Sequence, residues 1–148
     1  DFGHAQLAYE LLFQDQEPSW MNMRRKGATT IWERWNGVDE AGDAHDSLNH
    51  YSKGAVISFL HHYVAGLKST SPGYKTFEVK PVVGGGLTFA KTTLDSPQGE
   101  ISVAWRIDGG ELIVDVRAPE CSAGEIVMPS GAKVALLGGT STSARCSV

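Results

Sequence analysis

The residues best suited to chemistry lie in Gly27-Ala28-Thr29-Thr30-Ile31-Trp32-Glu33-Arg34-Trp35. This run sets one carboxylate between two indoles and beside a guanidinium. Indole faces stack on the apolar C–H faces of sugar rings, and carboxylates accept hydrogen bonds from hydroxyls. A carboxylate in such a place can also activate water as a general base, while an acid on the other side of the sugar protonates the leaving oxygen. Trp20 lies upstream and His50 downstream. The competing reading of the Trp-Glu-Arg-Trp run is a packed loop with a surface Glu33–Arg34 pair. For His50 it is a residue that caps or packs a helix start.

Other clusters carry less. Asp39, Glu40, Asp43, His45 and Asp46 make an acidic loop whose spacing matches no cation-binding template, so a solvated loop is expected. His61 and His62 are adjacent, lack the i, i+4 spacing of a zinc pair, and read as surface residues. Gly84-Gly85-Gly86 has no following Lys and no following helix, and reads as a turn. No metal site and no organic cofactor is expected.

The elements that must position these groups change character near Pro72. Ala5, Ala8, Tyr9 and Leu12 follow helical spacing over residues 4–13, with Leu11 widening the stripe. Residues 14–48 show no sustained period and hold three of the four tryptophans. An irregular stretch of that length inside a compact domain is usually functional or disordered, and the tryptophans favour function. Val56, Phe59, Leu60, Tyr63, Val64 and Leu67 predict one helix over residues 52–67. Beyond Tyr74 the pattern alternates instead. Phe77 and Val79, then Leu87 and Phe89, form short runs. Ile101, Val103, Trp105 and Ile107 face Leu112, Val114 and Val116 across Asp108-Gly109-Gly110, a hairpin turn. Ile126 and Met128 pair with Val134 and Leu136 around Pro129-Ser130-Gly131. The expected class is α+β, with residues 1–73 helical and residues 74–148 an antiparallel β-sandwich of six to eight strands. Two helices cannot bury their own stripes, so Ala5, Leu12, Phe59 or Tyr63 are expected to present apolar surface to a missing partner.

Composition narrows the function classes. The chain has 148 residues, is 41% hydrophobic and 20% charged, and carries a formal net charge of -4 with its Lys and Arg scattered. Nucleic-acid binding usually demands a clustered basic face, so such a partner is not expected. No apolar run is long enough for a membrane helix, and no membrane partner is expected. Asp1-Phe2-Gly3-His4 lacks both an initiator Met and the pattern of a signal peptide, which predicts a chain cut from something longer. The compartment is not legible. Cys121 and Cys146 are expected to be free thiols.

Several of these segments, in this order and spacing, resemble the bacterial α-L-rhamnosidase family. They are Gly3-His4-Ala5-Gln6-Leu7-Ala8-Tyr9, Pro18-Ser19-Trp20, the 27–35 block, Ser47-Leu48-Asn49-His50-Tyr51, Gly54-Ala55-Val56, Ala65-Gly66-Leu67, Pro72-Gly73-Tyr74 and Pro81. The resemblance spans essentially the whole chain. It implies the last helices and active-site loop of an (α/α)6 barrel in residues 1–73, then a C-terminal β-sandwich in 74–148. It implies cleavage of terminal α-L-rhamnose with inversion, Glu33 as general base, and His50 in contact with the sugar, with Trp20, Trp32 and Trp35 as further substrate-binding residues. The general acid is implied to lie N-terminal to this region, so activity would need an N-terminal remainder of the enzyme; self-association is the other expectation for the exposed helices. This sequence departs from the family at Met21-Asn22, where Gly-Tyr is common, and at Asn36, where Asp is common. A rival reading is a non-catalytic carbohydrate-binding or structural module with its tryptophans on a sheet face.

Overall fold

The computed structural model describes residues 3–148. The chain divides into two compact units, residues 1–57 and 58–148.

In the first unit, α1 (Ala5–Phe13) buries Tyr9 and half-buries Ala5, Ala8 and Leu12, the expected stripe. Leu11 does not widen it. Leu7, Leu11 and Phe13 lie on the exposed side. The apolar surface of α1 is therefore made by these three, and not by Ala5 or Leu12. A second helix, α2 (Trp20–Arg25), stands in the stretch expected to be irregular. Ser19 starts it: its Oγ accepts the Asn22 N–H at 3.0 Å, and the hydroxyl is buried. Such a cap satisfies one of the orphan amide donors of the first turn. The loop after α2 has Trp32 as its centre. Trp32 is 3% exposed, and a Cβ on Gly37 would come within 3.0 Å of the Trp32 Cβ and 3.2 Å of a Leu48 methyl. Glycine here lets the chain pass close against the indole.

The single helix expected over residues 52–67 is instead segmented. It runs as α3 (Tyr51–Gly54), α4 (Val56–Phe59) and a π-helical turn (Leu60–Val64). The turn widens because the Ala65 N–H reaches back to the Leu60 carbonyl, 2.8 Å away. Gly66, at φ 84°, ends it. A Cβ there would sit 2.3 Å from the Pro81 nitrogen, so only glycine permits this crossing. Leu67 then enters a strand rather than finishing a helix. His61 and His62 are half-buried rather than surface residues. The His61 ring meets Thr92 Oγ1 at 3.2 Å, and His62 meets Ser58 Oγ at 3.1 Å. Burial, first, and the nearby Lys68 and His61 charges push the His62 imidazole below its ordinary range.

The second unit is a sandwich of two four-stranded sheets, in the orders β1-β2-β6-β7 and β3-β4-β5-β8. The strands are β1 (Leu67–Ser69), β2 (Thr76–Val79), β3 (Phe89–Ser96), β4 (Gly99–Asp108), β5 (Glu111–Arg117), β6 (Ala123–Val127), β7 (Lys133–Leu136) and β8 (Ser141–Ser147). Ile101, Val103, Trp105, Leu112, Val114 and Val116 are all buried, as the alternation predicts. They face Leu67, Phe77, Val79, Ile126, Met128 and Leu136 from the other sheet. Each such aliphatic or aromatic side chain contributes about 1.5–3 kcal/mol on burial. Trp105 also donates from Nε1 to the Val64 carbonyl at 2.7 Å, so its polar edge is satisfied inside the core. The β4–β5 turn is a two-residue loop, with Asp108 paired to Glu111 and Gly109 and Gly110 at φ 58° and 82°. That is the left-handed pair a tight hairpin needs.

Two features differ from expectation. The pair β2–β6 runs parallel within otherwise antiparallel sheets. Phe89 is 64% exposed, because β3 turns Ala90, Thr92 and Leu94 inward while Leu87 packs on the core from outside the strand. Cys121 and Cys146 are both free.

Candidate active site

Glu33 sits where a loop doubles back on itself. Its N–H donates to the Ser47 carbonyl at 2.8 Å, and the Ser47 N–H donates to Glu33 Oε2 at 3.2 Å. One carboxylate oxygen is thus held by the main chain. Among the described residues, Oε1 has no hydrogen-bond partner. The same two segments are laced again by the His50 N–H on the Ile31 carbonyl, 2.8 Å, and by the Thr30 hydroxyl on the Leu48 carbonyl. The 27–35 and 47–50 blocks therefore form one hydrogen-bonded structure, although fourteen residues separate Glu33 from Ser47.

Trp20 and Trp35 meet edge to face, with ring centroids 5.3 Å apart and planes at 79°. Trp20 donates from Nε1 to the Lys53 carbonyl at 3.1 Å. The Lys53 ammonium lies 4.9 Å from the Trp35 ring centroid and also donates to the Glu33 carbonyl. Both indoles are half-buried, while Trp32 is buried and offers no face to a ligand. Expected as a sugar contact, it supports the loop from inside. Arg34 turns outward and pairs with Asp46, not with Glu33.

His50 both caps α3 and lines an open groove. Its Nδ1 accepts the Ser52 N–H at 3.3 Å and lies 2.9 Å from Ser52 Oγ. With Nδ1 occupied as acceptor, the neutral ring carries its proton on Nε2 and offers a donor there. The ring stacks on Tyr51, which is itself 85% exposed. Ile31, Asn49, His50, Tyr51, Ala55 and Ile57 line the groove. Glu33 and the tryptophans are not among its walls. The structure thus gathers Glu33, Trp20 and Trp35 around Lys53, and ties His50 to them through the main chain rather than through one shared cavity.

The acidic loop is closed by its own groups. Asp39 Oδ1 accepts the Ala41 and Asp43 N–H groups, each at 2.9 Å, and Oδ2 meets His45 Nε2 at 2.8 Å. The His45 hydrogen bond, first, and these amides hold the Asp39 carboxyl below its ordinary range. No group of three potential metal ligands occurs among the described residues.

Two family models divide the chain. The bacterial α-L-rhamnosidase six-hairpin glycosidase domain matches residues 1–64, and the bacterial α-L-rhamnosidase C-terminal domain matches residues 66–143. The chain belongs to the bacterial α-L-rhamnosidase family. Among curated relatives, an α-L-rhamnosidase of Formosa agariphila is 36% identical over 132 residues, covering 86% of this chain and 14% of that protein. One from Alteromonas sp. strain LOR matches at the same identity and coverage. Among solved structures, the α-L-rhamnosidase of Aspergillus terreus superposes with a TM-score of 0.84 at 32% identity, covering 93% of this chain and 17% of that one. The α-L-rhamnosidase of Streptomyces avermitilis complexed with L-rhamnose gives 0.86 at 28%, covering 97% and 16%. The chain therefore spans about one-seventh of the length of the curated relatives it matches.

Within this rhamnosidase segment, Lys53 carried no recognised sequence signal, and Ser47 stood in the 47–51 motif without a role of its own. Ser47 acts through its main chain, which sequence patterns do not report. Lys53 sits two residues beyond the Asn49-His50-Tyr51 motif and reads as an ordinary helix-surface lysine. The rival module reading needs tryptophans on a sheet face. Trp20, Trp32 and Trp35 belong instead to the helical unit, and Trp105 is buried between the sheets.

Proposed function

We propose that this chain serves as the C-terminal part of an inverting α-L-rhamnosidase, with Glu33 as the general base. The observation that carries the reading is the state of the Glu33 carboxylate. Among the described residues, one oxygen is fixed by the Ser47 amide and the other has no partner, while Lys53 links the Glu33 main chain to the Trp20–Trp35 pair. A base that activates water needs this combination of orientation and a free lone pair. Trp20 and Trp35 supply apolar faces for the sugar ring, and His50 supplies a directed N–H donor for a hydroxyl. Inversion requires a second carboxyl group roughly 6.5–9.5 Å away, across the scissile bond, to protonate the leaving oxygen. Of the acids in the following loop, Asp39 is engaged with His45 and Asp46 with Arg34. By the family resemblance, the acid is assigned to the remainder of the enzyme, outside these residues. The substrate class is a glycoside with terminal α-L-rhamnose, and the exposed Leu7, Leu11 and Phe13 of α1 meet either that remainder or a second copy.

Proton NMR of early turnover of an aryl α-L-rhamnoside by the complete enzyme tests the reaction class. The β-anomer of rhamnose should appear first. First release of the α-anomer would rule out inversion and remove the need for a water-activating base.

A further inference from the structure

We propose that Lys53 is a positioning residue for the general base, an assignment that rests on reading Glu33 as that base. Three contacts converge on this one residue. Its ammonium donates to the Glu33 carbonyl. The same ammonium lies over the Trp35 ring, 4.9 Å from the centroid. Its own carbonyl accepts the Trp20 indole N–H at 3.1 Å. The two indoles then close on each other edge to face. Lys53 thus holds the peptide that carries the base and both aromatic rings beside it, from twenty residues away on α3.

The choice of acceptor matters chemically. An ammonium paired with the Glu33 carboxylate would compete with water for the lone pairs that a base must use. Lys53 binds the main-chain carbonyl instead, and among the described residues it forms no ion pair with a carboxylate. Among the described residues, the base is fixed while Oε1 has no partner. Ordering a lysine side chain costs rotamer freedom. A cation–π contact and a charge-assisted hydrogen bond together offset that cost. Displacing a catalytic group by about 1 Å can lower a rate about 10²-fold. The base touches water rather than sugar, so the loss should fall on kcat more than on KM.

The test has two arms. In the complete enzyme, kcat and KM on an aryl α-L-rhamnoside are compared for the parent, Lys53→Met, Lys53→Arg and Glu33→Gln. Lys53→Met should lower kcat about 10²-fold, with a smaller rise in KM from the loosened indoles, and Lys53→Arg, which keeps charge and donors, should restore most of it. Parental kcat in Lys53→Met beside an inactive Glu33→Gln overturns the assignment of Lys53. A fully active Glu33→Gln overturns the base reading itself, whatever Lys53 does. In the 148-residue chain alone, circular dichroism reads the exciton couplet of the Trp20–Trp35 pair, with Trp35→Phe marking its loss. The couplet should vanish in Lys53→Met and persist in Lys53→Arg. A couplet that survives in Lys53→Met overturns the positioning role without reference to catalysis. Should Lys53→Met not fold, Lys53→Gln takes its place in both arms, with the same expected losses and the same overturning results.

Discussion

Glu33 and Ser47 grip each other twice, the Glu33 amide on the Ser47 carbonyl at 2.8 Å and the Ser47 amide on Glu33 Oε2 at 3.2 Å. The first bond aligns two loop segments and the second orients a side chain. Together they turn a carboxylate in an otherwise irregular stretch into a fixed group. A glutamine at position 33 can keep both bonds, since its side-chain carbonyl still accepts from Ser47. Chemistry at this position can therefore be separated from folding.

The parallel β2–β6 pair gives the sharpest stability test. Gly124 lies opposite Phe77, and a Cβ on it would come 2.0 Å from the Phe77 carbonyl oxygen. Gly124→Ala must push the two strands apart. The expected loss is about 1–3 kcal/mol, as for other overpacked interiors. Urea denaturation should show a lower midpoint with little change in slope. An unchanged midpoint would mean that the strands do not approach as closely as described.

The Asp39 loop should respond to acid. The Asp39 carboxyl is held below its ordinary range by His45 and by the Asp43 and Ala41 amides. A depressed carboxyl contributes order that is fully present above its unfolded value, about 3.9, and is lost as pH falls through the lower folded value. Amide exchange at Ala41 and Asp43 should accelerate only below about pH 4. Asp39→Asn should remove that step. Exchange that accelerates already near neutral pH would contradict it.

How much of this was legible in sequence varies with the kind of signal. The β4–β5 hairpin was readable because period-two alternation and a Gly-Gly turn are local, and Ile101 through Val116 are buried as that pattern requires. The parallel partner of β2 was not, since pairing of residues 76–79 with 123–126 leaves no local trace. The 52–67 helix misled because Gly66 looks harmless in a periodic run, while its φ and its contact with Pro81 force the chain into β1. At the site, residue types pointed to Glu33, Trp20, Trp35 and His50. Trp32 is buried, because an indole serves a core as readily as a sugar. Ser47 stood in the 47–51 motif, but its role escaped notice because main-chain hydrogen bonds do not depend on side-chain identity.

The exposed face of α1 predicts association. Leu7 and Leu11 stand one turn apart and are 54% and 51% exposed. Adjacent apolar side chains of this kind mark a partner surface or an aggregation risk. Sedimentation velocity of the chain should show a mass that rises with concentration. The double change Leu7→Lys and Leu11→Lys should return it to a monomer without lowering its helix content. A parent chain that stays monomeric throughout would overturn this.

The most direct test of the account is the rate of L-rhamnose release from an aryl α-L-rhamnoside by the complete enzyme carrying Glu33→Gln. The variant keeps the bonds to Ser47 but cannot accept a proton from water. Its kcat should fall about 10²–10⁴-fold, the usual contribution of a positioned base, with an unchanged thermal midpoint. A Glu33→Gln enzyme that turns over at the parental rate would contradict the account and move the base elsewhere.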